Sequence, residues 1–366
     1  MTTMMSATLF PTASHSGQDF CISEGRVLRT TPVFETYWQF AFERQEIFFK
    51  RVCGLPPPWT SDPILSSYRF TNVYRVSNRV SQYLIRQVIY DGDQSEEEVF
   101  FRTVLFKLFN KIETWEMLQE AVGPVSWRTF DVDRYDRILD EAFQRGISLY
   151  SAAYIMPCPP FDAGRKHRNH LVLLNRMMSD RLPQKVAKAR SLGEVFSLLR
   201  TYPSIGAFLA YQFAVDLNYS PLTSFSEMEF VVAGPGARSG IQKSFVDTCG
   251  LTDEDVIRAI TELAAREFEQ RGLAFRNLWG RPLQLIDCQN LFCEVDKYSR
   301  VAHPEVNGSS RKRIKQRFVA HAKPTPQWYP PKWGLPSNWT AADAAEFSAS
   351  EQNHPQVHTT LYRVRE

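Results

Sequence analysis

No apolar run in the 366 residues is long enough to cross a bilayer, so a membrane-spanning helix is not expected. The six cysteines (Cys21, Cys53, Cys158, Cys249, Cys288, Cys293) form no CxxC pair, which argues against a disulfide framework, a zinc ribbon or an iron–sulfur site. With no basic-then-apolar leader at the start, these free thiols lead to the expectation of a reduced, cytoplasmic compartment. Excess charge is also scarce: the net charge is +3, so any nucleic-acid surface has to be a local patch. Sustained period-two alternation is missing, and no sheet of consequence is expected. "GPGARSGIQKS" contains glycines, Lys243 and Ser244 but not the G-x-x-x-x-G-K-[ST] spacing, which excludes a Walker phosphate loop. His167 and His170 in "HRNH" lack further ligands at metal spacing, so neither a metal nor another cofactor is expected.

What the chain has in quantity is apolar and aromatic side chains, 43% and 13% with 26 Phe, enough for a sizeable core. They recur at steps of three and four. "PVFETYWQFAFERQEIFFKRVCG" reads as a helix stopped by Gly54 and "LPPPW". Two further helices are expected over "PILSSYRFTNVYRVSNRVSQYLIRQVIY" and "SEEEVFFRTVLFKLFNKIETWEML", the second with Ser95 and Glu98 in a capping-box pattern. More follow in "DRYDRILDEAFQRG", in the stretch after "YSAAYIMPCPP", in "TDEDVIRAITELAAREFEQRG" capped by Thr252, and from about Pro282. The fold class is all-α. Residues 1–30 read as a flexible arm, 31–322 as the helical domain, and 323–366, with "PTPQWYPPKWGLPSNW", as an extended strap.

Five groups of residues carry candidate chemistry. In "TYPSIGAFLAYQFAVDLNYS", Pro203, Ser204 and Gly206 form a turn before an apolar helix, which is either a plain core turn or a cradle of N–H groups for a phosphate. The second is chosen here, as a DNA-backbone contact. Glu227 and Glu229 in "FSEMEF" are acids beside an apolar "FVV" that would dry their surroundings. Asn72, Arg75, Asn110, Glu113 and Trp115 place polar groups and an aromatic wall inside apolar helices, suited to an extruded base. The competing view makes Arg75 and Glu113 an interhelical ion pair. Asp287, Asn290, Glu294 and Lys297 share one helix face and suit a pocket wall. Finally Arg311, Lys312, Arg313, Lys315 and Arg317 make the densest basic patch, fit for DNA phosphates.

The turn at Tyr202–Gly206 resembles the hairpin of helix–hairpin–helix DNA glycosylases, whose usual Leu-Pro-Gly-Val-Gly has its first Gly replaced here by Ser204. Four blocks, "YRFTNVYRVSNRVSQYLIR", "EVFFRTVLFKLFNKIETWE", "FSEMEFVVAGPGARSGI" and "LWGRPLQLIDCQNLFCEVDKYSRVAHPE", are similar to a glycosylase-related family. That family is named for α-glutamyl/putrescinyl-thymine pyrophosphorylases and the helical domain of 5-hydroxymethyl-deoxyuridine DNA kinases, and the similarity runs from about Tyr37 to Lys332. The resemblance implies two helical lobes around a cleft and action on hypermodified pyrimidines, typically in phage DNA. It also implies a catalytic carboxylate two dozen residues past the hairpin, for which Glu229 ranks first, then Glu227, then Asp287. Phe208 stands where bifunctional glycosylases carry a lysine. The expected activity is therefore monofunctional excision of a base such as glucosylated 5-hydroxymethylcytosine, in anti-phage defence. The alternatives are a transferase or pyrophosphorylase acting on activated 5-hydroxymethylpyrimidines, and a non-catalytic reader of modified DNA.

Overall fold

A computed structural model of the chain describes residues 19–22, 26–307, 313–319 and 326–335. In chain order its elements are strands β1 (Asp19–Ile22) and β2 (Arg26–Thr30), then helices α1 (Pro32–Val52), α2 (Pro63–Ser67) and α3 (Arg79–Tyr83). Next come α4 (Glu96–Phe109), α5 (Ile112–Val122), α6 (Val132–Gln144), α7 (Lys166–Ser179) and α8 (Leu182–Ala187). The chain continues through α9 (Leu192–Arg200), α10 (Ala207–Leu217), α11 (Pro235–Ser244), strand β3 (Phe245–Asp247), α12 (Asp253–Gln270) and α13 (Leu285–Ala302). Helix dominates, as its three-and-four apolar spacing predicts. No helix among the described residues is long and apolar enough to cross a membrane.

Two compact units result: one built from residues up to Arg75 and Ala233–Gln327, the other from Val76–Val232 and Trp328–Leu335. In the first, Tyr37, Trp38 and Phe40 of α1 are wholly buried. Trp38 meets Phe268 edge-on at 5.0 Å, and Tyr37 meets Phe292 at 4.6 Å, so α1 packs on α12 and α13 through aromatic pairs. α11 lies closest to α13. A Cβ placed on Gly240 would stand 2.1 Å from the Phe292 carbonyl oxygen, and one on Gly236 would stand 2.3 Å from Cys293 Sγ. The glycines of the stretch whose spacing excluded a phosphate loop serve a close helix crossing. Their neighbour Lys243 is buried, 2.8 Å from Asp296.

The second unit is organised by α4, buried on every side from Glu98 to Phe109, with α7, α8 and α10 around it. Residues 328–335 pack here too. Trp328 N–H donates to Gln82, the Trp328 ring meets Tyr90 at 4.9 Å, and Lys332 donates to the carbonyls of Asn218, Ser220 and Thr223.

Four local expectations need correction. A three-stranded antiparallel sheet, in the order β1-β2-β3, exists after all. Its strands are three to five residues long, too short to show a period, and two of them lie inside the stretch read as a flexible arm. The helix expected over 63–90 is broken after α2, because backbone N–H groups at Thr71 and Arg75 bond to carboxylates of α13 instead of to their own helix. The next helix breaks at Asn110, which adopts φ 50° as only a residue tolerant of the left-handed region does readily. Ser95 makes no side-chain cap. Glu98 turns away to accept from Ser126 Oγ and from the N–H groups of Trp127 and Arg128, fixing a 3-10 turn. Thr252, by contrast, caps α12 in a full capping box with Asp255.

Candidate functional site

The face of α13 that carries Asp287, Asn290, Glu294 and Lys297 meets the extended segment 70–75. Asp287 is the third residue of α13, where a carboxylate suits both the orphan N–H groups and the helix dipole. It accepts from Gln284 N–H at 3.1 Å in a capping box and from Arg75 N–H at 2.8 Å. One turn on, Asn290 donates to Thr71 Oγ1 at 2.9 Å. Glu294 accepts from Thr71 N–H at 3.0 Å and from Lys297 at 2.7 Å, while the Lys297 ammonium also sits 4.6 Å from the Phe70 ring. Asn72 accepts from Arg44 Nη2 at 2.9 Å. Four residues expected at a base pocket or as a catalytic acid (Asn72, Arg75, Asp287 and Asn290) thus lie in one network that fixes the 70–75 segment.

Beside this network runs the described part of the basic stretch. Residue 317 bridges Tyr68 antiparallel, with Arg69 N–H donating to Gln316 O and Phe318 N–H to Ser67 O. Ile314 is buried and acts as the anchor, leaving Arg313, Lys315 and Arg317 exposed in a row. The Arg317 guanidinium lies 4.6 Å from the Tyr68 ring. A strand that hides one apolar residue and presents cations between aromatic neighbours can bind a polyanion without burying its charges. Arg311 and Lys312 lie outside the described residues.

The remaining candidates are in the other unit. Pro203, Ser204 and Gly206 do form the turn between α9 and α10. Ser204 occupies the left-handed region at φ 64°, the conformation a glycine would take without cost, and its hydroxyl donates to Cys158 O at 3.1 Å. Gly206 is exposed, precedes an α10 whose first turn has no side-chain cap, and has φ −69° with open space where a Cβ would stand. At the far end of α10, Asp216 is buried 3.0 Å from Lys107, and Asn218 fixes the next loop through Thr223 and Phe225.

The carboxylates of "FSEMEF" diverge: Glu227 is buried, but Glu229 sits exposed in a turn and is not dried by the "FVV" that follows. Alternation would put residues two apart on one side; the turn at 226–229 separates them and leaves only Glu227 inward. Glu113 is exposed and pairs with Arg79 at 3.5 Å. Trp115 is a core side chain, edge-on to Phe106 at 6.0 Å. Asn110 is buried as the acceptor for Lys107 Nζ at 2.8 Å. His167 meets Asp136, while His170 hydrogen-bonds Tyr150 and the carbonyl of Pro157.

Sequence reasoning passed over two buried cations. Lys107, in a helix buried on all sides, contacts Asp216, Asn110 and the Tyr154 ring at 4.9 Å. Arg44 of α1 is buried, and desolvation, then the nearby charge of Arg51, lowers its pKa to about 10. The only signal for either was a charge at an apolar helix position, which periodicity alone treats as noise.

Residues 31–308 match the family described as the helical domain of 5-hmdU DNA kinase. The chain is 28% identical over 299 residues to a 5-hmdU DNA kinase of Bacillus phage SP10, a match that covers 75% of this chain and 46% of the relative. It therefore spans about half the length of that curated relative. No solved structure matches. These likenesses overturn the expectation of a glycosidic-bond hydrolase excising a modified base in anti-phage defence: the relative is named for transfer to DNA, not for base removal. The helical architecture and the match over residues 31–308 agree, and the chain belongs to the family of 5-hmdU DNA kinase helical domains.

Proposed function

We propose that this chain is a transferase-class DNA-modification domain that engages 5-hydroxymethylpyrimidines in DNA and alters the 5-substituent while leaving the glycosidic bond intact. The family match over residues 31–308 carries this reading. The exposed row Arg313, Lys315, Arg317 supports DNA as the partner, since it offers regularly spaced cations without competing carboxylates in the strand. The α9–α10 turn supports a second backbone contact in the manner of a helix–hairpin–helix. Gly206 is the N-cap of α10, a position glycine favours, and the open space on its Cβ side would admit a phosphate close to the helix N-terminus. Asn72 and Asn290 hold the 70–75 segment in place and act as positioning residues.

Two forms of the chemistry fit this reading. Phosphoryl transfer makes an O–P bond at the hydroxymethyl oxygen, with its proton passing to a base and a nucleoside diphosphate leaving the donor. Displacement makes a C–N bond at the 5-methylene and breaks the C–O bond to diphosphate, with the amine proton passing to a base. The test incubates duplex and single-stranded DNA carrying 5-hydroxymethyluracil, free or diphosphorylated, with ATP or with amine donors. Digestion to nucleosides and mass spectrometry follow. A mass change on a nucleoside that keeps its sugar is expected; an unchanged profile with DNA binding retained would leave recognition alone and overturn the transferase reading.

A further inference from the structure

Next to the basic strand, the first unit contains a cavity of about 180 Å3 lined by Arg44, Arg51, Trp59, Tyr68, Phe70 and Phe318 with smaller neighbours. Two features are unusual. Among the described residues the lining holds two guanidinium groups and no carboxylate. Arg44 is 6% exposed, and although its Nη2 donates to Asn72 and to Phe70 O, its Nη1 is buried without a hydrogen-bond partner among the described residues. A buried guanidinium with a free donor is costly unless an acceptor arrives.

Arg51 makes the deficit larger. Its guanidinium lies 5.2 Å from the Trp59 ring centroid and 5.8 Å from that of Phe318, two rings set edge-on at 6.3 Å. Arg51 is the nearby charge that most depresses the pKa of Arg44, and burial lowers its own. The one carboxylate that favours charge on Arg44, Glu294, is already engaged by Thr71 and Lys297. Two like charges at the wall of one cavity repel, and a dianion between them would remove the repulsion and fill the open donor.

From this geometry we infer that the Arg44–Arg51 cavity is a nucleotide site, with the phosphate held by the two guanidinium groups and a flat ring against Trp59, Tyr68 and Phe318. Planar, bidentate recognition of phosphate is what arginine provides and lysine does not. The aromatic walls accept a base face without reading its edge, the sequence-tolerant stacking that single-strand binders use. The ligand has two sources, a nucleotide of a DNA strand tracked by Arg313, Lys315 and Arg317, or a free nucleotide. The site stands independently of whether the chain modifies a base.

Equilibrium titration of the full chain with inorganic pyrophosphate, thymidine 5′-monophosphate and a short oligothymidylate separates these sources. The wild type is expected to bind the monophosphate more tightly than pyrophosphate, because only the former fills the aromatic walls. Arg51→Gln, a change at a half-buried position that the fold tolerates, should weaken the monophosphate at least about tenfold, the effect of losing one charge-assisted pair. Trp59→Leu should erase the preference over pyrophosphate. Arg44→Gln is checked by circular dichroism first, since it alters the core. Tighter binding of the oligomer than of the monophosphate assigns the site to a strand, and the reverse to a free nucleotide. Absence of monophosphate and pyrophosphate binding in the folded wild type, or affinities indifferent to Arg51→Gln, would overturn the assignment. A negative result here with modified nucleosides still formed would leave the proposed reaction intact.

Discussion

Replacing Gly240 by Ala tests whether the α11–α13 crossing is as close as it looks. The added Cβ would stand 2.1 Å from the Phe292 carbonyl oxygen, 2.7 Å from its carbon and 3.2 Å from its Cα, all backbone atoms of α13 that cannot rotate aside. A comfortable carbon–oxygen approach is about 3.3 Å, so the helices must part by roughly 1 Å. Helix propensity favours the alanine by about 1 kcal/mol. Overpacking against a rigid partner costs about 3 kcal/mol, the upper end of the usual range, so strain wins and net destabilisation of about 2 kcal/mol is expected. Urea unfolding followed by circular dichroism measures it, with Gly193→Ala as the reference. There the new Cβ meets Phe230 at 3.6 Å, an ordinary contact, and the change should be neutral or stabilising by up to about 1 kcal/mol. A Gly240→Ala protein as stable as the wild type would refute the close crossing. Because α13 also holds Thr71 and Arg75, parting the helices should loosen the 70–75 segment, seen as faster amide exchange at those two residues.

Other outcomes follow from the same geometry. Asp216→Asn leaves the buried Lys107 without the charge 3.0 Å from it and should cost about 3 kcal/mol in denaturant unfolding; a loss below 1 kcal/mol would refute the pair's role in stability. Burial holds the His170 pKa down to about 4 from an ordinary 6.5. The unfolded chain then binds the extra proton between those values, so stability should fall by about 3 kcal/mol as pH drops from 6.5 to 4, and His170→Gln should flatten that slope. Asp296 works in its own window: burial raises its pKa, but hydrogen bonds from Lys243, Ser239 and Arg300 outweigh this and leave it lowered. Its contribution is present above the unfolded carboxylate pKa and is lost as pH falls through the folded one, and Asp296→Asn should remove that acid-limb loss. Lys315→Gln should weaken DNA binding equally for all sequences and reduce the salt slope by about 1, measured by fluorescence anisotropy.

Periodicity, composition and caps were enough to establish a predominantly helical chain, the stop of α1 near Gly54, the Thr252 cap of α12 and the single polar face of α13. Each depends on neighbours within a few residues, and local propensity is written locally. The four motif blocks likewise pointed to the family, though the choice of hydrolysis over transfer within it was wrong, since no residue encodes that choice by spacing. Tertiary contacts decided the rest. Segment 68–75 gave up a helix because its N–H groups bond to Asp287 and Glu294, more than two hundred residues away. The strands β2 and β3 pair across a similar distance, Thr30 with Phe245. Spacing ruled out a phosphate loop at Gly236 and Gly240 but could not say that they admit α13 at close range, and nothing local marked Arg44 as a cation in dry surroundings. A sequence states which groups can bury or bond; which of them meet is fixed by long-range packing, where burial and charge are shared between parts of the chain that do not neighbour each other.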